Sequence, residues 1–527
     1  MKIYDKLQPL DFTVVGLYLL VVIGIGAWVS FRKRPGAGEN MFLAGNSLRW
    51  PGIGFTMWGT NVGPSMLIAS ASIGFTTGVV AGNFAWYAFV FIFLLAAVFA
   101  PRYLGAGTQT LPGYMGQKFG DSTRNILAWY TLITILVSWL SLTLFAGGIL
   151  IRQILGLPML VSIMVLLAIA AFFTIAGGLK TIAYTNVFQM ILLILVSLAL
   201  TLTGLDKAGG ISTLKTATPA EYWNLFLPSD NEAYPWPAIL LGYPVMGVWF
   251  WCTDQSMVQS VLGAKNLKQG QLGANFTGWL KILDVPLFIL PGILCYVLFP
   301  SLDDPDKAYM TMVTELFPPG MQGLVMAVLI AALVSTVDSA LNALSTVFTM
   351  DIYVKKYKSD AGRKEIRKTG HRVTLAGAAV AVFITLAIDS IKGLNLFDVF
   401  QSVLGFIAPP MTTVFLFGVL WKRTTAKAVN TVLIWGTALS MGTGIFYLWV
   451  FPAEGHGFWP HFLLLSFYLF ILLSVLIVGI SLATGKKEEI GKEEEKTIPP
   501  IRGKVKWLWG ILALVMIILY LLFNGNE

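Results

Sequence analysis

The stretch PGIGFTMWGTNVGPSMLIASASIGF (Pro51 to Phe75) is long and apolar enough to cross a bilayer, yet Gly59, Gly63 and Pro64 interrupt it. A helical span needs about 20 apolar residues, and backbone released from a helix at membrane depth must be buried in protein or line a polar cavity. The interruption therefore predicts a buried polar site. A second stretch, AILLGYPVMGVWFWCTDQ (Ala238 to Gln255), carries Gly242, Pro244 and Gly247 in the same manner.

Hydrophobic residues make up 56% of the 527, charged residues 12%, and the mean hydropathy is +0.75, which excludes an ordinary soluble domain. The chain reads as an all-α polytopic membrane protein with fourteen transmembrane helices, beginning near Leu10, Pro51, Asn83, Asn125, Leu157, Thr181, Trp236, Gly273, Gln322, Val373, Leu396, Ala426, Trp459 and Trp507. The two interrupted stretches are the second and seventh. An odd offset of five gives them opposite orientations, as an inverted repeat of five helices requires. Gly and Pro are also common in ordinary membrane helices, which leaves the simpler explanation open.

Charge placement orients the chain. With the N-terminus outside, 28 of the 36 Lys and Arg fall in inward-facing loops, 7 fall outside, and Lys281 lies within a span. This asymmetry is the positive-inside pattern, so the net charge of +9 needs no nucleic-acid partner. The expectation is an integral protein of the plasma (bacterial inner) membrane with both termini outside and the lipid bilayer as its surroundings; the oligomeric state stays open. The first span is long and is followed by Arg32, Lys33 and Arg34, which reads as a retained helix rather than a signal peptide. Cys252 and Cys295 lie in predicted spans as small buried residues, and His371, His456 and His461 sit in loops or at a span edge. With no zinc, phosphate-loop or nucleophile pattern, an enzyme is not expected, nor any cofactor.

The ninth span, MAVLIAALVSTVDSALNALSTVFTMDIY (Met326 to Tyr353), carries Asp338 at its middle. A carboxylate there is costly and marks an ion pathway, a proton relay or an internal pair. Ala332, Ser335, Thr336 and Ser339 form a stripe of small and hydroxyl residues beside it. Hydroxyl, carboxylate and freed carbonyl oxygens suit a hard cation such as Na⁺. Lys281 and Asp284, spaced i, i+3 on the eighth span, can neutralise each other. Asn186 and Gln189 on the sixth span and Gln401 on the eleventh are further interior polar groups, each equally consistent with an interhelical hydrogen bond.

These residues resemble the sodium/solute symporter family, and within it the sodium/glucose cotransporter group. The resemblance rests on FLAGNSLRWPGIGFTMWGTNVG (42–63), FFTIAGGLKTIAYTNVFQ (172–189), WFWCTDQSMVQSVLGAKN (249–266), AALVSTVDSALNALSTVFTMDIY (331–353) and FQSVLGFIAPPMTTVFLFGVLWKRTT (400–425). It implies a LeuT-like five-plus-five inverted repeat (51–206 and 236–421), one extra helix before it (10–32) and three after it (424–523). It also implies a main Na⁺ site of the Gly59, Val62 and Ala332 carbonyls with the Ser335 and Thr336 hydroxyls. The implied solute site is Asn61, Lys281 and Gln401, with Trp251 beneath and Phe250 where the family often has a gating tyrosine.

Departures from the family pattern shape the expectation further. Asn186 stands where the family usually has aspartate, and Asp338 where it usually has a small or hydroxyl residue. With Ser339 these define an expected second ion site, its carboxylate moved from the sixth span to the ninth, taking Na⁺ or a proton. Ala85 and Met66 stand where sugar transporters of the family typically carry polar groups, leaving Asp284 to shape the pocket. The expected activity is sodium-coupled import of a small organic solute, a sugar or polyol, by alternating access. Alternatives are an amino acid, carboxylate or other metabolite driven by Na⁺ or protons, and, from a different class, a channel or sensor built on the same bundle.

Overall fold

The computed structural model describes residues 7–32, 41–390, 396–485, 501 and 503–523. Among these residues there is no strand; isolated bridges join Leu48 to Ala264 and Leu227 to Pro235. Among the described residues eleven stretches are long and apolar enough to cross a membrane, and Met159–Ile175 and Ala238–Thr253 are shorter apolar helices. The elements that position the site are α1 (Pro9–Arg32), α2 (Trp50–Asn61), α3 (Pro64–Thr77), α4 (Met159–Lys207), α5 (Ala238–Thr253), α6 (Gln255–Leu262), α7 (Leu267–Leu298) and α8 (Met321–Tyr357).

Burial ranks these helices. The apolar stretch of α8 is 94% buried within the protein, against 22% for Lys504–Leu522, so α8 is the central helix and the last one lies at the periphery. Helices α1, α2 and α4 pack around α8. Helix α4 folds back on itself at Gly178, whose φ of +57° only glycine adopts cheaply. A Cβ there would also overlap the Met41 carbonyl oxygen.

The chain breaks between α2 and α3 lie at Val62 (φ −85°, ψ 75°) and Gly63 (φ −87°, ψ 162°). Two expectations need correction. Gly59 does not interrupt the helix but lies inside α2, two residues before its last. Gly242, Pro244 and Gly247 do not interrupt the seventh span, because π-helical turns at Ala238–Gly242 and Trp249–Thr253 absorb the misfit and α5 continues through all three. The break comes at Asp254 (φ −84°, ψ 127°), whose carboxylate accepts from the Met257 N–H (3.1 Å) to cap α6 and from Trp139 Nε1 (2.9 Å).

The two broken helices are tied together at one end. Leu48 N–H donates to Gly263 O (3.1 Å) and Lys265 N–H to Leu48 O (2.9 Å), which joins the approach to α2 with the exit from α6. Gln259 on α6 donates from Nε2 to Phe42 O (3.0 Å) and to Thr346 Oγ1 on α8 (2.6 Å).

Helix α7 runs beside both halves of the broken pair α2–α3. Against α3 the backbones nearly touch: a Cβ on Gly292 would overlap the Ala71 carbonyl oxygen, and one on Gly74 would overlap the Ile289 carbonyl oxygen. Backbone cannot move aside as a side chain can. Gly292→Ala is expected to cost about 1–3 kcal/mol through overpacking and to lower the unfolding temperature of the detergent-purified protein. Gly24→Ala, where nothing lies within 4 Å of the added atom, should leave it near wild type.

Candidate functional site

Two buried polar clusters meet at the break after α2. The first is made of oxygens. In a continued helix Gly63 N–H would bond the Gly59 carbonyl, but it donates to Asn61 O (3.0 Å), and Pro64 has no N–H to offer Thr60 O. The break thereby releases the carbonyls of Gly59 and Thr60 from their helical donors. From α8, Thr336 Oγ1 lies 3.4 Å from Thr60 O and 3.2 Å from Ala332 O. Ser335 Oγ is buried without a protein partner and lies 3.2 Å from where a Cβ on Gly59 would stand. Thr60 Oγ1 adds bonds to Thr56 O (2.8 Å) and Ser339 Oγ (2.9 Å).

The structure therefore brings Gly59, Ala332, Ser335 and Thr336 together around the break, with Val62 as its pivot. Among the described residues no group of three or more His, Cys, Asp or Glu gathers as a metal site. Carbonyl and hydroxyl oxygens are instead the donors of a hard cation.

Asp338 lies one turn along α8 and is fully buried. Its Oδ1 accepts from Ser339 Oγ at 3.4 Å, a long contact, while Oδ2 has no protein hydrogen-bond partner. On α4 all four side-chain polar atoms of Asn186 and Gln189 are likewise buried and unpaired. Both helices border the same break. Met41 lies against Gly178 at the fold of α4 while Phe42 O is 3.4 Å from Asn342 Nδ2 on α8, and further along Met190 and Ser335 both flank Gly59. The second half of α4 thus runs antiparallel to α8, and from the first half of α4 Thr174 Oγ1 donates to the Asp338 carbonyl (3.3 Å). Buried polar groups left without partners are rare enough to require a cause.

The second cluster is charged. Lys281 Nζ donates to Asn61 Oδ1 (2.8 Å), the residue after Thr60, and forms an ion pair with Asp284 Oδ2. Trp58 Nε1 donates to Asp284 Oδ1 (2.8 Å). Lys281 is 0% and Asp284 2% exposed. The Trp251 ring stands 5.9 Å from the ammonium, and Phe250 packs on Trp251 (5.0 Å) and Trp139 (5.3 Å). Asn61, Lys281, Trp251 and Phe250 therefore lie in one run of contacts, while the Gln401 side chain lies outside the described residues. Sequence reading passed over Trp58 and Thr60. Trp58 shares a helix face with Asn61 at i, i+3, the one local cue it had.

Interrupted helices, a buried cluster of oxygens and an adjoining buried charged cluster are the features of an ion-coupled membrane symporter. Residues 41–436 match the Sodium:solute symporter family, and the chain belongs to that family. It is 30% identical to sheep sodium/glucose cotransporter 1, over 92% of this chain and 80% of that protein. It is 32% identical to human sodium/myo-inositol cotransporter 2, over 82% of this chain and 70% of that one. A solved Na⁺-coupled sialic acid symporter in a substrate-bound outward-open state superposes with a TM-score of 0.77 at 18% identity, covering 90% of this chain and 98% of that structure, which establishes the shared fold.

Trp58→Phe keeps a ring against Phe288 (6.2 Å) and removes the donor to Asp284. Leaving a buried carboxylate oxygen underbonded should cost about 1–3 kcal/mol, measured as a drop in unfolding temperature in detergent.

Proposed function

We propose that the protein couples inward movement of Na⁺ to accumulation of a sugar or polyol by alternating access. The observation that carries this reading is the adjacency of Thr60 and Asn61: one faces the oxygen cluster through its carbonyl, the other holds Lys281. Na⁺ held by the Gly59, Val62 and Ala332 carbonyls with the Ser335 and Thr336 hydroxyls orders the break in the chain, and the ordered break presents Asn61 to the solute beside Lys281, Trp251, Phe250 and Gln401. A ligand shifts a conformational equilibrium only through differential affinity, and a break that is ordered only with Na⁺ bound supplies that difference. The membrane potential adds about 2.3 kcal/mol per charge per 100 mV to the inward drive. The similarity to sodium/glucose and sodium/myo-inositol cotransporters supports a polyhydroxylated solute.

Asp338, Ser339 and Asn186 form a second ion site in this reading, and their unpaired buried atoms support it. It takes Na⁺, or a proton in the proton-coupled alternative. The fourteen-helix architecture adds the two shorter apolar helices to the eleven long stretches and divides Met66–Gly105 at Gly78, where φ is +79°. Breaks at Val62–Gly63 and Asp254, five spans apart, support the inverted repeat. Loop charge supports a plasma-membrane placement with both termini outside.

The test is uptake of labelled glucose, myo-inositol and amino acids into proteoliposomes with an inward Na⁺ gradient, a proton gradient or neither. Accumulation only with Na⁺ is expected; ion flux without accumulation would identify a channel, and accumulation with protons alone would overturn sodium coupling. Ser335→Ala and Thr336→Ala should each raise the Na⁺ concentration for half-maximal uptake about tenfold, the equivalent of about 1.4 kcal/mol. Asp338→Asn should alter the ion-to-solute ratio or the pH dependence of uptake, and unchanged values for both would remove it from the ion path.

A further inference from the structure

The eighth span holds a charge pair whose hydrogen-bonding capacity is not exhausted by the protein. An ammonium has three N–H donors and a carboxylate about four acceptor sites. Lys281 Nζ spends two donors, on Asn61 and Asp284. Asp284 accepts from Trp58 at Oδ1 and Lys281 at Oδ2. One cationic donor and two anionic acceptor sites therefore remain on adjoining buried groups, with the Trp251 ring 5.9 Å from the ammonium. The pair carries no net charge.

We propose that Asp284 is the specificity residue that restricts the solute to uncharged polyhydroxylated molecules, with Lys281 donating to one hydroxyl oxygen and Asp284 accepting from the neighbouring hydroxyl. A vicinal diol offers that acceptor and that donor at adjacent carbons. A carboxylate solute would satisfy Lys281 but meet Asp284 as a like charge, and an ammonium solute would meet the reverse conflict; both penalties are large where water is excluded. Built-in repulsion of this kind is how sites reject isosteres that attraction alone would admit. This inference rests on the symport function proposed above and adds the charge class of its solute.

The experiment is sodium-driven uptake of labelled glucose and myo-inositol into proteoliposomes, with gluconate, glucuronate and glucosamine as competitors, for wild type, Asp284→Asn and the Asp284→Asn/Lys281→Gln double variant. Wild type should take up a neutral probe and be inhibited by the charged ones only at concentrations about 100-fold or more higher. Asp284→Asn keeps an acceptor for Trp58 but leaves Lys281 uncompensated, so the neutral-to-anion selectivity ratio should fall at least tenfold, about 1.4 kcal/mol. The double variant, neutral again, should recover rejection of the anions while binding neutral solute weakly. A purely structural role for Asp284 would depress uptake of every probe and leave the ratio unmoved, which overturns the proposal. Wild-type uptake of gluconate or glucosamine as efficient as that of glucose overturns it too, and needs no variant to fold. Wild type that accumulates no probe with Na⁺ sinks the proposed function and this inference with it, whereas sodium-driven accumulation with an unmoved ratio sinks this inference alone.

Discussion

A backbone break inside a membrane protein is the constraint on which the rest of this structure depends. Carbonyls released at Gly59 and Thr60 cannot be left facing hydrocarbon, where each unsatisfied group costs several kcal/mol. The fold answers by surrounding the break. Helix α8 is buried along nearly its whole length and turns a stripe of hydroxyls toward it, and α4 and α7 close the remaining sides. Such burial demands small residues: the glycine contacts between α3 and α7 follow from bringing backbone against backbone.

On the proposed function, the same break would let two ligands report on each other. Thr60 and Asn61 are adjacent in sequence, so their backbone geometries are not independent. On the proposed function, a cation at the carbonyls of the break would also fix where the Asn61 amide points, and Asn61 is already engaged by Lys281. Coupling here requires no long pathway through the protein, because one short non-helical segment is shared by both clusters. The second broken helix is joined to the first by the Leu48–Ala264 bridge and is held to α8 through Gln259 and Thr346.

Much of this was legible in the sequence, and the limits are instructive. The all-helical membrane character and the burial of Asp338 follow from composition and from the cost of charge in hydrocarbon. The break after α2 was legible too, since Pro64 removes the donor that a helix would need. The second break was sought at Gly242, Pro244 and Gly247, but proline needs only a local accommodation, and π turns provide one without leaving the helix. The residue that ends α5 is Asp254, which caps α6 through the Met257 N–H and whose other oxygen accepts from Trp139, 115 positions away. The same limit hid Trp58, whose partner Asp284 is 226 positions distant. Lys281 and Asp284 were readable as a pair because helical spacing alone brings them together; their third partner required the fold.

The buried carboxylates Asp284 and Asp338 show how one residue type is put to different ends. Asp284 is bonded at each oxygen, by a tryptophan and by a lysine, and a buried ion pair satisfied in this way costs desolvation but holds its geometry. Stability does not explain it, since two well-packed apolar residues would serve at least as well. What an apolar pair cannot do is present a donor and an acceptor at fixed positions beside an aromatic face. Asp338, by contrast, has one oxygen with no protein partner, and Asn186 and Gln189 on α4 carry amides that are equally unpaired. Buried polar groups left without partners are rare enough to require a cause, and the second ion site proposed for Asp338, Ser339 and Asn186 would supply one.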